Sequence, residues 1–361
     1  MRRKVMLKEV ISAVKLSVLP ICCWPLPQDA TKFKMFCMTL HHCLSIIVTT
    51  ALKLPLIYGI TNHLDDPPVL VNQIVLLSGT FHANFNFIFH ITYYHHIQIA
   101  TSEIVNFCNV MKPHEEVVIQ RYIDKCIAFY GIFLVAFYWI TFVVIAILPP
   151  LMHQPFPTLA EYPFDVSYQP VKTIIYIQQS MAGIMISGQL CINVHMAMLL
   201  WFTSARFEIL TKELEKTANV YQLFECIKKH QKLLIYAKEV TNAARPFAFT
   251  TIYCSTISLI GVFLLLISHQ PIAVIFQFFV LGIISIAEVF MYTWPAEHLM
   301  YTSNDIGYAG YESSWYSKDI SLQKNLLYTV TRCQHPVTLT VPCLLPSLSL
   351  NYYASVSHIL N

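Results

Sequence analysis

The amino-acid sequence predicts an all-α protein that crosses a membrane seven times, with a cytoplasmic N-terminus and an extracellular C-terminus. Three observations predict this fold: 56% of the 361 residues are hydrophobic, only 12% are charged, and the basic residues cluster in alternate connections between apolar stretches. Soluble domains usually carry about 25% charged residues, so this chain lacks the charge that would solvate a globular surface. Its net charge of +3 is too small to suggest a nucleic-acid partner.

The predicted spans are stretches with little or no charge that are long enough to cross hydrocarbon, which takes about 20 apolar residues in a helix. The uncharged stretch 246–287 is too long for one span, and the polar residues and proline at 268–271 divide it at a turn. Seven spans follow within a single domain over residues 1–361: about 36–60, 70–94, 126–148, 173–201, 247–267, 271–294 and 336–358. Pro342 and Pro346 interrupt the last span.

The positions of lysine and arginine predict the orientation. Nearly all of the 23 basic residues precede the first span or follow the second, fourth and sixth spans, and basic connections stay in the cytoplasm. G-protein-coupled receptors also have seven spans, but they have the opposite orientation and usually carry a disulfide to an extracellular loop. The predicted outer connections, 61–69, 149–172 and 268–270, contain no cysteine. Both features disfavour that receptor class.

The connection 202–246 is the largest predicted cytoplasmic element. Phe207 and Leu210 begin an apolar stripe at helical spacing, so span four is expected to continue past the membrane and to return through a second helix at about 220–243. This hairpin is either a solvated amphipathic element or a helical anchor that packs subunits together. Residues 295–335 form the other predicted part of this cytoplasmic region.

No enzyme motif is present, since the sequence contains neither HExxH, nor GxSxG, nor GxxxxGK[ST]. The 15 histidines and 11 cysteines show no metal-ligand spacing. We therefore expect buried reduced thiols, hydrogen-bonded histidines, and neither a metal nor a cofactor. Two charged residues fall inside spans: Lys53 is expected to extend toward the headgroups, and Glu288 is expected near the cytoplasmic face in a structural role rather than in a proton relay.

The outer halves of the middle spans carry aromatic and weakly polar side chains, which typically line pockets for small ligands. The candidate ligand-binding residues are Phe137, Tyr138, Phe142, Tyr176, Gln179, Met181, Phe276 and Gln277. Such a lining suits a small, volatile, apolar molecule, although aromatic side chains are also ordinary packing residues. The proline-rich outer connection 149–172 is either a lid over this opening or a rigid connector.

Two blocks of sequence resemble insect odorant receptors. The first follows span six and has matching residues at Tyr292, Trp294, Ser303, Ala309, Tyr311, Trp315 and Tyr316. The second, Arg332 to Thr340 followed by Leu348-Ser349-Leu350, is similar to the family's entry into its last helix. Weaker matches lie at 227–231 and at Cys23-Trp24-Pro25. The resemblance extends over nearly the whole chain.

This resemblance implies a subunit of a ligand-gated, non-selective cation channel in the plasma membrane of olfactory sensory neurons, assembled as a hetero-tetramer with an odorant co-receptor. It implies that a small volatile odorant binds between helices two, three, four and six, in the outer half of the bundle. It also implies that the seventh helices line the pore and that the cytoplasmic parts of helices four to seven join the subunits. The residues expected in pore or subunit contacts are Tyr292, Trp294, Trp315, Arg332, Pro336 and Thr338.

Departures from the family pattern leave alternatives open. Pro295 follows Trp294 where small or aromatic residues are usual, and it is expected to kink the helix there. Family members also continue beyond the position of Asn361, usually with aromatic residues that line the gate, and Pro342 stands near an expected glycine. A truncated, non-conducting subunit and a gustatory-type receptor of the same superfamily are therefore alternatives. A transporter fits less well because the sequence shows no internal repeat.

Overall fold

The computed structural model describes residues 5–151, 153–158, 160–217, 219–267, 272–312, 320–341 and 347–350. In chain order the helices are α1 (Leu7–Ser17), α2 (Lys32–Ala51), α3 (Lys53–Asn62), α4 (Pro67–Thr92), α5 (Tyr94–Val110), α6 (Pro113–Phe142), α7 (Leu148–Leu151), α8 (Val171–Glu215), α9 (Val220–Ile267), α10 (Ile272–Glu312) and α11 (Ile320–Cys333). A π-helical turn, Val143–Ile147, joins α6 to α7. No β-strand occurs within these described ranges, so the predicted all-α class is confirmed.

Six helical units in the described part of the chain are long and apolar enough to cross a membrane. The first unit consists of α2 and α3 together, and the third consists of α6 and its continuation through α7. The other four units are the single helices α4, α8, α9 and α10. Each of them overlaps one of the first six predicted spans. The predicted polytopic membrane architecture is therefore confirmed, while the orientation of the termini stays a prediction.

Several helices continue well beyond the predicted spans and pack on one another. α8 continues to Glu215, and after a short turn α9 begins at Val220. α11 packs against α10. Phe207 of α8 is fully buried in this region. At Gly307 of α10 a Cβ atom would lie only 2.9 Å from the Cβ of Cys333, so this glycine permits the close approach of α11. The extensions of α8, α9 and α10 together with α11 are called the anchor below.

Pro295 interrupts the hydrogen bonding of α10 without ending the helix. A residue at this position would normally donate its N–H to the carbonyl four residues earlier, and proline has no N–H. That carbonyl, of Met291, instead accepts a hydrogen bond from the Tyr130 hydroxyl at 3.1 Å. Because α6 supplies the missing donor, α10 continues to Glu312.

The predicted seventh span is wrong at its start. Residues 336–341 are extended rather than helical, because backbone groups of this segment bond to partners outside the segment instead of to one another. The N–H of Val337 donates to Ser303 Oγ at 2.9 Å, and the N–H of Leu348 donates to the Leu339 carbonyl at 2.8 Å. Most of the remainder of the predicted span lies outside the described residues.

The segment before the first span folds into the bundle, which the sequence did not predict. α1 buries one apolar face and packs against α6 and α8. The following residues, 18–27, are called the N-terminal segment. Its Leu26 accepts a hydrogen bond from Gln98 at 2.8 Å through its carbonyl and donates one to the Tyr94 hydroxyl at 3.0 Å through its N–H. Cys23 of the same segment is fully buried.

Candidate functional site

A cavity of about 120 Å³ lies between α4, α8, α9 and α10, and we call it the polar cavity. Hydrocarbon side chains such as Val75 and Leu281 form part of its wall. Polar residues spaced three or four apart share one helix face, and three helices present such pairs here. The polar residues at the cavity are Ser78 and His82 of α4, Gln189 of α8, Ser255 and Ser258 of α9, and Ser285 and Glu288 of α10.

The carboxyl of Glu288 is the strongest hydrogen-bonding group at the polar cavity. The residue is only 8% exposed, and Ser255 Oγ donates to its Oε2 at 3.2 Å. The ion pairs formed by lysines and arginines of the described chain do not include it. A carboxylate has about four acceptor positions, so one hydroxyl leaves most of its capacity unused. A buried group of this kind is costly until it finds partners.

Other polar groups at the polar cavity also lack partners. The amide of Gln189 and the hydroxyl of Ser78 have only weak thiol neighbours, Cys23 and Cys254, and make no hydrogen bond to an oxygen or nitrogen of a residue the structure describes, although these residues are only 2% and 7% exposed. His82 differs, since its Nε2 lies 3.2 Å from the Thr251 hydroxyl. Buried polar groups are nearly always hydrogen-bonded. The polar cavity therefore fits a molecule that supplies the missing donors and acceptors.

A second cavity, of about 160 Å³, lies mainly between α1, α6 and α8, and we call it the apolar cavity. Aliphatic and aromatic side chains dominate its lining, among them Val14, Ile123, Leu134 and Met198. The hydroxyl of Tyr130, which also borders it, is already used by the Met291 carbonyl. Two other polar side chains at this cavity also have partners: the Tyr122 hydroxyl contacts Glu208, and the Glu9 carboxylate accepts from the Met6 N–H at 3.0 Å. Such a lining offers contact to hydrocarbon but little to orient a polar ligand.

A match to a family profile decides what kind of protein this is. The profile described as 7tm Odorant receptor matches residues 66–359, a range that contains all four helices of the polar cavity. The chain belongs to this odorant receptor family. It is thus a multi-pass membrane protein of a receptor family concerned with olfaction, and the family predicted from the sequence is confirmed.

Individual relatives agree with the odorant receptor family. Odorant receptor 10 of Aedes albopictus is 26% identical over 137 residues, which are 37% of this chain and 36% of that protein. The match therefore spans about a third of that relative's length. The insect olfactory receptor OR5 of Machilis hrabei, solved alone and in complex with eugenol, has TM-scores of 0.81 and 0.82 at 16% identity, over 98% of this chain and 96% of that chain. This likeness shows a shared fold.

The predicted ligand-binding residues of this odorant receptor lie apart from the polar cavity. None of the members whose side chains are described contributes to its lining. Phe137 is buried in the core of the bundle. The Tyr138 hydroxyl donates to the Ser17 carbonyl at 2.5 Å, and the Tyr176 hydroxyl donates to the Ile145 carbonyl at 2.6 Å. Both tyrosines thus connect elements of the protein itself.

Four other predicted ligand-binding residues occupy the helix surfaces or fall outside the described side chains. Phe142 packs on Trp139 and is largely exposed, and Met181 of α8 is also exposed. Phe276 and Gln277 belong to α10, but their side chains lie outside the part of the chain that the structure describes. Their role in ligand binding stays a prediction.

Gln179, the last of the predicted set, holds the outer connection against α8. Its Oε1 accepts hydrogen bonds from the N–H and the hydroxyl of Thr158, at 3.0 and 2.9 Å. Its Nε2 donates to the Tyr162 hydroxyl at 3.1 Å. Burial raises the pKa of Tyr162 above its ordinary value. The outer connection is therefore fixed to the bundle at this point, as either a lid or a rigid connector requires.

Glu161 fixes the same connection to the end of α3. Asn62 Nδ2 donates to one carboxylate oxygen at 3.0 Å, and the His63 ring hydrogen-bonds the other. These hydrogen bonds, with that from Asn62 the largest contribution, lower the pKa of Glu161 below its ordinary value. The outer connection is thus held on both α3 and α8.

Two residues predicted in pore or subunit contacts lie inside the bundle of this one chain. Tyr292 is fully buried, and its hydroxyl donates to Asn193 Oδ1 at 3.0 Å. Trp294 packs edge to face against Trp201, with ring centroids 5.0 Å apart. Both contacts join α10 to α8, so in this structure they stabilise the subunit itself.

The remaining predicted contact residues lie near the end of α11. The Arg332 guanidinium is exposed and donates to the His335 carbonyl at 2.8 Å. Pro336 and Thr338 are half-buried in the extended segment that follows. Trp315 lies outside the described residues. Whether these positions contact other subunits stays a prediction.

The polar cavity is the feature that the sequence did not reveal. Glu288 is buried against Ser255 at this cavity, roughly four helical turns into α10, while its expected depth near the cytoplasmic face stays a prediction. A signal was present in the sequence: Ser285 and Glu288 are three apart, and Ser255 and Ser258 repeat that spacing on α9. Polar pairs on one face of otherwise apolar helices indicate a shared buried site.

Proposed function

We propose that this chain is the odorant-binding subunit of a ligand-gated, non-selective cation channel and that the odorant binds in the polar cavity. The buried carboxyl of Glu288, which has one hydroxyl partner and faces a cavity between four helices, carries this proposal. The ligand is a small volatile molecule, mostly hydrocarbon, with a hydrogen-bond donor such as a hydroxyl or an amine. That donor meets Glu288, and Gln189 and Ser78 supply further polar contacts.

The size of the polar cavity supports a ligand of this kind. A cavity of about 150 Å³ holds benzene in another protein, so about 120 Å³ suits a molecule of roughly five or six non-hydrogen atoms. Val75, Ile186 and Leu281 offer hydrocarbon contact, and each buried methylene of a ligand contributes about 0.8 kcal/mol. Apolar contact thus provides affinity, while the polar groups orient the ligand.

α10 offers a physical link between the polar cavity and the anchor. It is one helix from Ile272 to Glu312, with Ser285 and Glu288 at the cavity and its far end packed on α11. A ligand shifts a conformational equilibrium only by binding one state more tightly than the other. We propose that an odorant bound at Glu288 favours one arrangement of α10 and that the anchor transmits this preference to the pore.

Membership of the odorant receptor family supports the rest of the proposal. The partners are an odorant co-receptor in a hetero-tetramer, and the site of action is the plasma membrane of olfactory sensory neurons. The distribution of basic residues supports a cytoplasmic N-terminus. A receptor of the same fold has been solved in complex with eugenol, which supports a bundle that holds a small ligand.

The test is a recording of cation current from cells that express the chain with the co-receptor, exposed to a panel of small volatile alcohols and amines. We expect an inward current that requires both proteins. The absence of a current for every compound of the panel, with surface biotinylation showing normal delivery to the plasma membrane, would contradict the proposal. An N-terminal epitope tag is expected to stain only after permeabilisation, and staining of intact cells would contradict the orientation.

Two substitutions in α10 test where the odorant binds. Glu288→Gln is expected to weaken the response to donor-bearing odorants, whereas Ile283→Ala, a half-exposed position on the same helix that does not line the polar cavity, is expected to leave it unchanged. Equal effects of the two variants would indicate a general defect of α10 and would remove the polar cavity as the binding site.

A further inference from the structure

Three side chains of metal-ligating type, from distant parts of the sequence, meet inside the bundle. Cys23 of the N-terminal segment, His42 of α2 and His90 of α4 each place one ligand atom within 4.8 Å of the other two. All three residues are at most 1% exposed. The two imidazole rings lie edge to face with centroids 5.0 Å apart. We call this group the Cys–His cluster.

Backbone hydrogen bonds set the protonation of both imidazoles. His42 Nε2 lies 3.2 Å from the Cys22 carbonyl oxygen, and His90 Nε2 lies 2.9 Å from the Cys23 carbonyl oxygen. A carbonyl oxygen only accepts, so each Nε2 carries the proton in the ion-free protein and each Nδ1 keeps its lone pair. Neither Nδ1 has a hydrogen-bond partner in the described parts of the chain. Metal-binding histidines typically have one N–H bound to a carbonyl and the other nitrogen on the ion. For His42 this requires rotation of the ring, because its Nε2 is the nitrogen that lies 3.6 Å from the Cys23 sulfur.

Gln189 of α8 adds a further polar group. Its amide lies beside the Cys23 thiol, and the residue is only 2% exposed. The Cys23 thiol also has weak hydrogen bonds to the Ile21 carbonyl at 3.5 Å and to His42 Nε2 at 3.6 Å. The Nδ1 atoms of the two buried imidazoles nevertheless have no partner among the residues described, which is unusual because buried polar groups are nearly always satisfied.

We propose that the Cys–His cluster binds one thiophilic transition-metal ion, Zn²⁺ or Cu⁺, through the Cys23 sulfur and one nitrogen each from His42 and His90. Thiolate and imidazole are ligands that suit both ions. Three protein ligands leave a fourth position for water or another ligand. When the sulfur coordinates, the thiol proton is released to solvent, so that thiolate and metal form the bond.

The spacing of the Cys–His cluster is compatible with a bound ion. Bonds of about 2.3 Å to sulfur and about 2.0–2.1 Å to nitrogen in tetrahedral geometry place ligand atoms about 3.3–3.6 Å apart. The three ligand atoms lie within 4.8 Å of one another, so only small movements of the side chains are needed to reach these distances. The cluster brings together residues that are 19 and 67 positions from Cys23, which is why spacing along the sequence did not reveal it.

A bound ion would join the N-terminal segment to two membrane-spanning helices. Because the ion binds the folded chain and its three ligands come from separate elements, binding stabilises the fold. We therefore expect a membrane-compatible chelator to lower the thermal unfolding temperature of the wild-type protein. This inference is independent of odorant binding, since none of the three ligands lines the polar cavity.

The experiment uses the full chain purified in detergent. It is titrated with Co²⁺, an optical probe for Zn²⁺ sites, and separately with Cu⁺ in competition with a bathocuproine-type chelator. We expect a thiolate-to-cobalt charge-transfer band that saturates at one ion per chain and disappears on addition of Zn²⁺, or retention of one Cu⁺ against the chelator. A wild-type protein that shows neither the band nor Cu⁺ retention overturns the proposal.

Variants distinguish the Cys–His cluster from other cysteines. Cys23→Ser is expected to abolish the band, and His42→Gln or His90→Gln to weaken metal binding at least about tenfold. Cys37→Ser, at an exposed position of α2, is the matched control and should keep the band. A band that survives Cys23→Ser contradicts the proposal. Should Cys23→Ser fail to fold, X-ray absorption of the wild-type complex decides: one sulfur with two imidazole nitrogens supports the site, and a shell of several sulfurs or of oxygen alone overturns it.

Discussion

The two cavities of this receptor differ more in what lines them than in size. The apolar cavity, of about 160 Å³, is surrounded mainly by hydrocarbon, whereas the polar cavity, of about 120 Å³, contains Glu288, Gln189 and Ser78 with unused hydrogen-bonding capacity. A void lined by hydrocarbon loses packing contacts but needs no occupant. A void lined by buried polar groups stays costly until a partner arrives. The difference indicates that lining, and not volume, identifies the ligand site.

Two glycines allow the cavities to be compared by matched substitutions. Gly79 of α4 lines the polar cavity and Gly131 of α6 lines the apolar cavity. A Cβ atom added at either glycine would meet nothing within 4 Å. Both glycines lie inside long helices, so a leucine at either position brings a similar gain in helix propensity. The two variants then differ chiefly in which cavity they fill.

Gly79→Leu is expected to have the largest effect on the odorant response. Its isobutyl group would occupy the space of the ligand, and overpacking of this kind costs about 1–3 kcal/mol, which corresponds to about 5- to 150-fold in affinity. Concentration–response curves of the cation current, recorded with the co-receptor, measure the change. Surface biotinylation is the control for delivery. An unchanged curve would show that the odorant does not occupy the polar cavity.

Glu288→Gln keeps the shape of the side chain and replaces one acceptor oxygen by an amide NH₂ group, which only donates. A lost hydrogen bond costs about 0.5–1.5 kcal/mol and a buried donor left without a partner about 1–3 kcal/mol, so the half-maximal concentration of an alcohol or amine should rise about tenfold. The hydrocarbon analogue of the same odorant, which has no donor, serves as the control ligand and should shift little. Equal shifts for both ligands would exclude a direct contact with Glu288.

Gly131→Leu is expected to stabilise the protein and to leave odorant sensitivity unchanged. Replacing a helical glycine gains about 0.8–1.0 kcal/mol, and each methylene buried in the apolar cavity adds about 0.8 kcal/mol. The thermal unfolding temperature in detergent, followed by size-exclusion chromatography of heated samples, should therefore rise. A reduced odorant response at normal surface levels would instead make the apolar cavity part of the ligand site.

The smallest expected effect concerns the outer connection. Hydrogen bonds to Glu161 lower the pKa of its carboxyl, so they stabilise the attachment of the outer connection while the carboxyl is ionised. This stabilisation is fully present above the ordinary pKa of a glutamate and is lost as pH falls through the lowered pKa. Hydrogen exchange of residues 153–158, corrected for intrinsic rates, should show a loss of protection at that acidic pH. Glu161→Gln, which cannot ionise, should lack this step. A step that persists in the variant would assign it to another group.

Sequence reasoning found the helices more readily than the sites. A long stretch without charge must form a helix in hydrocarbon, so the first six spans follow from local composition. Ser255 and Glu288 instead meet only because α9 packs on α10, and His90 reaches Cys23 across 67 positions. The predicted start of the seventh span was wrong for a related reason, since the Ser303 side chain on α10 accepts a hydrogen bond from the backbone of the extended segment. Such contacts are set by tertiary packing.

A structure of the channel complex determined with a saturating alcohol or amine odorant would locate the ligand directly. We expect density for the odorant between α4, α8, α9 and α10, with its donor atom within about 3.2 Å of the Glu288 carboxylate. Density in the apolar cavity, or beside Tyr176 and Gln179 with the polar cavity unchanged, would contradict the assignment of the ligand site.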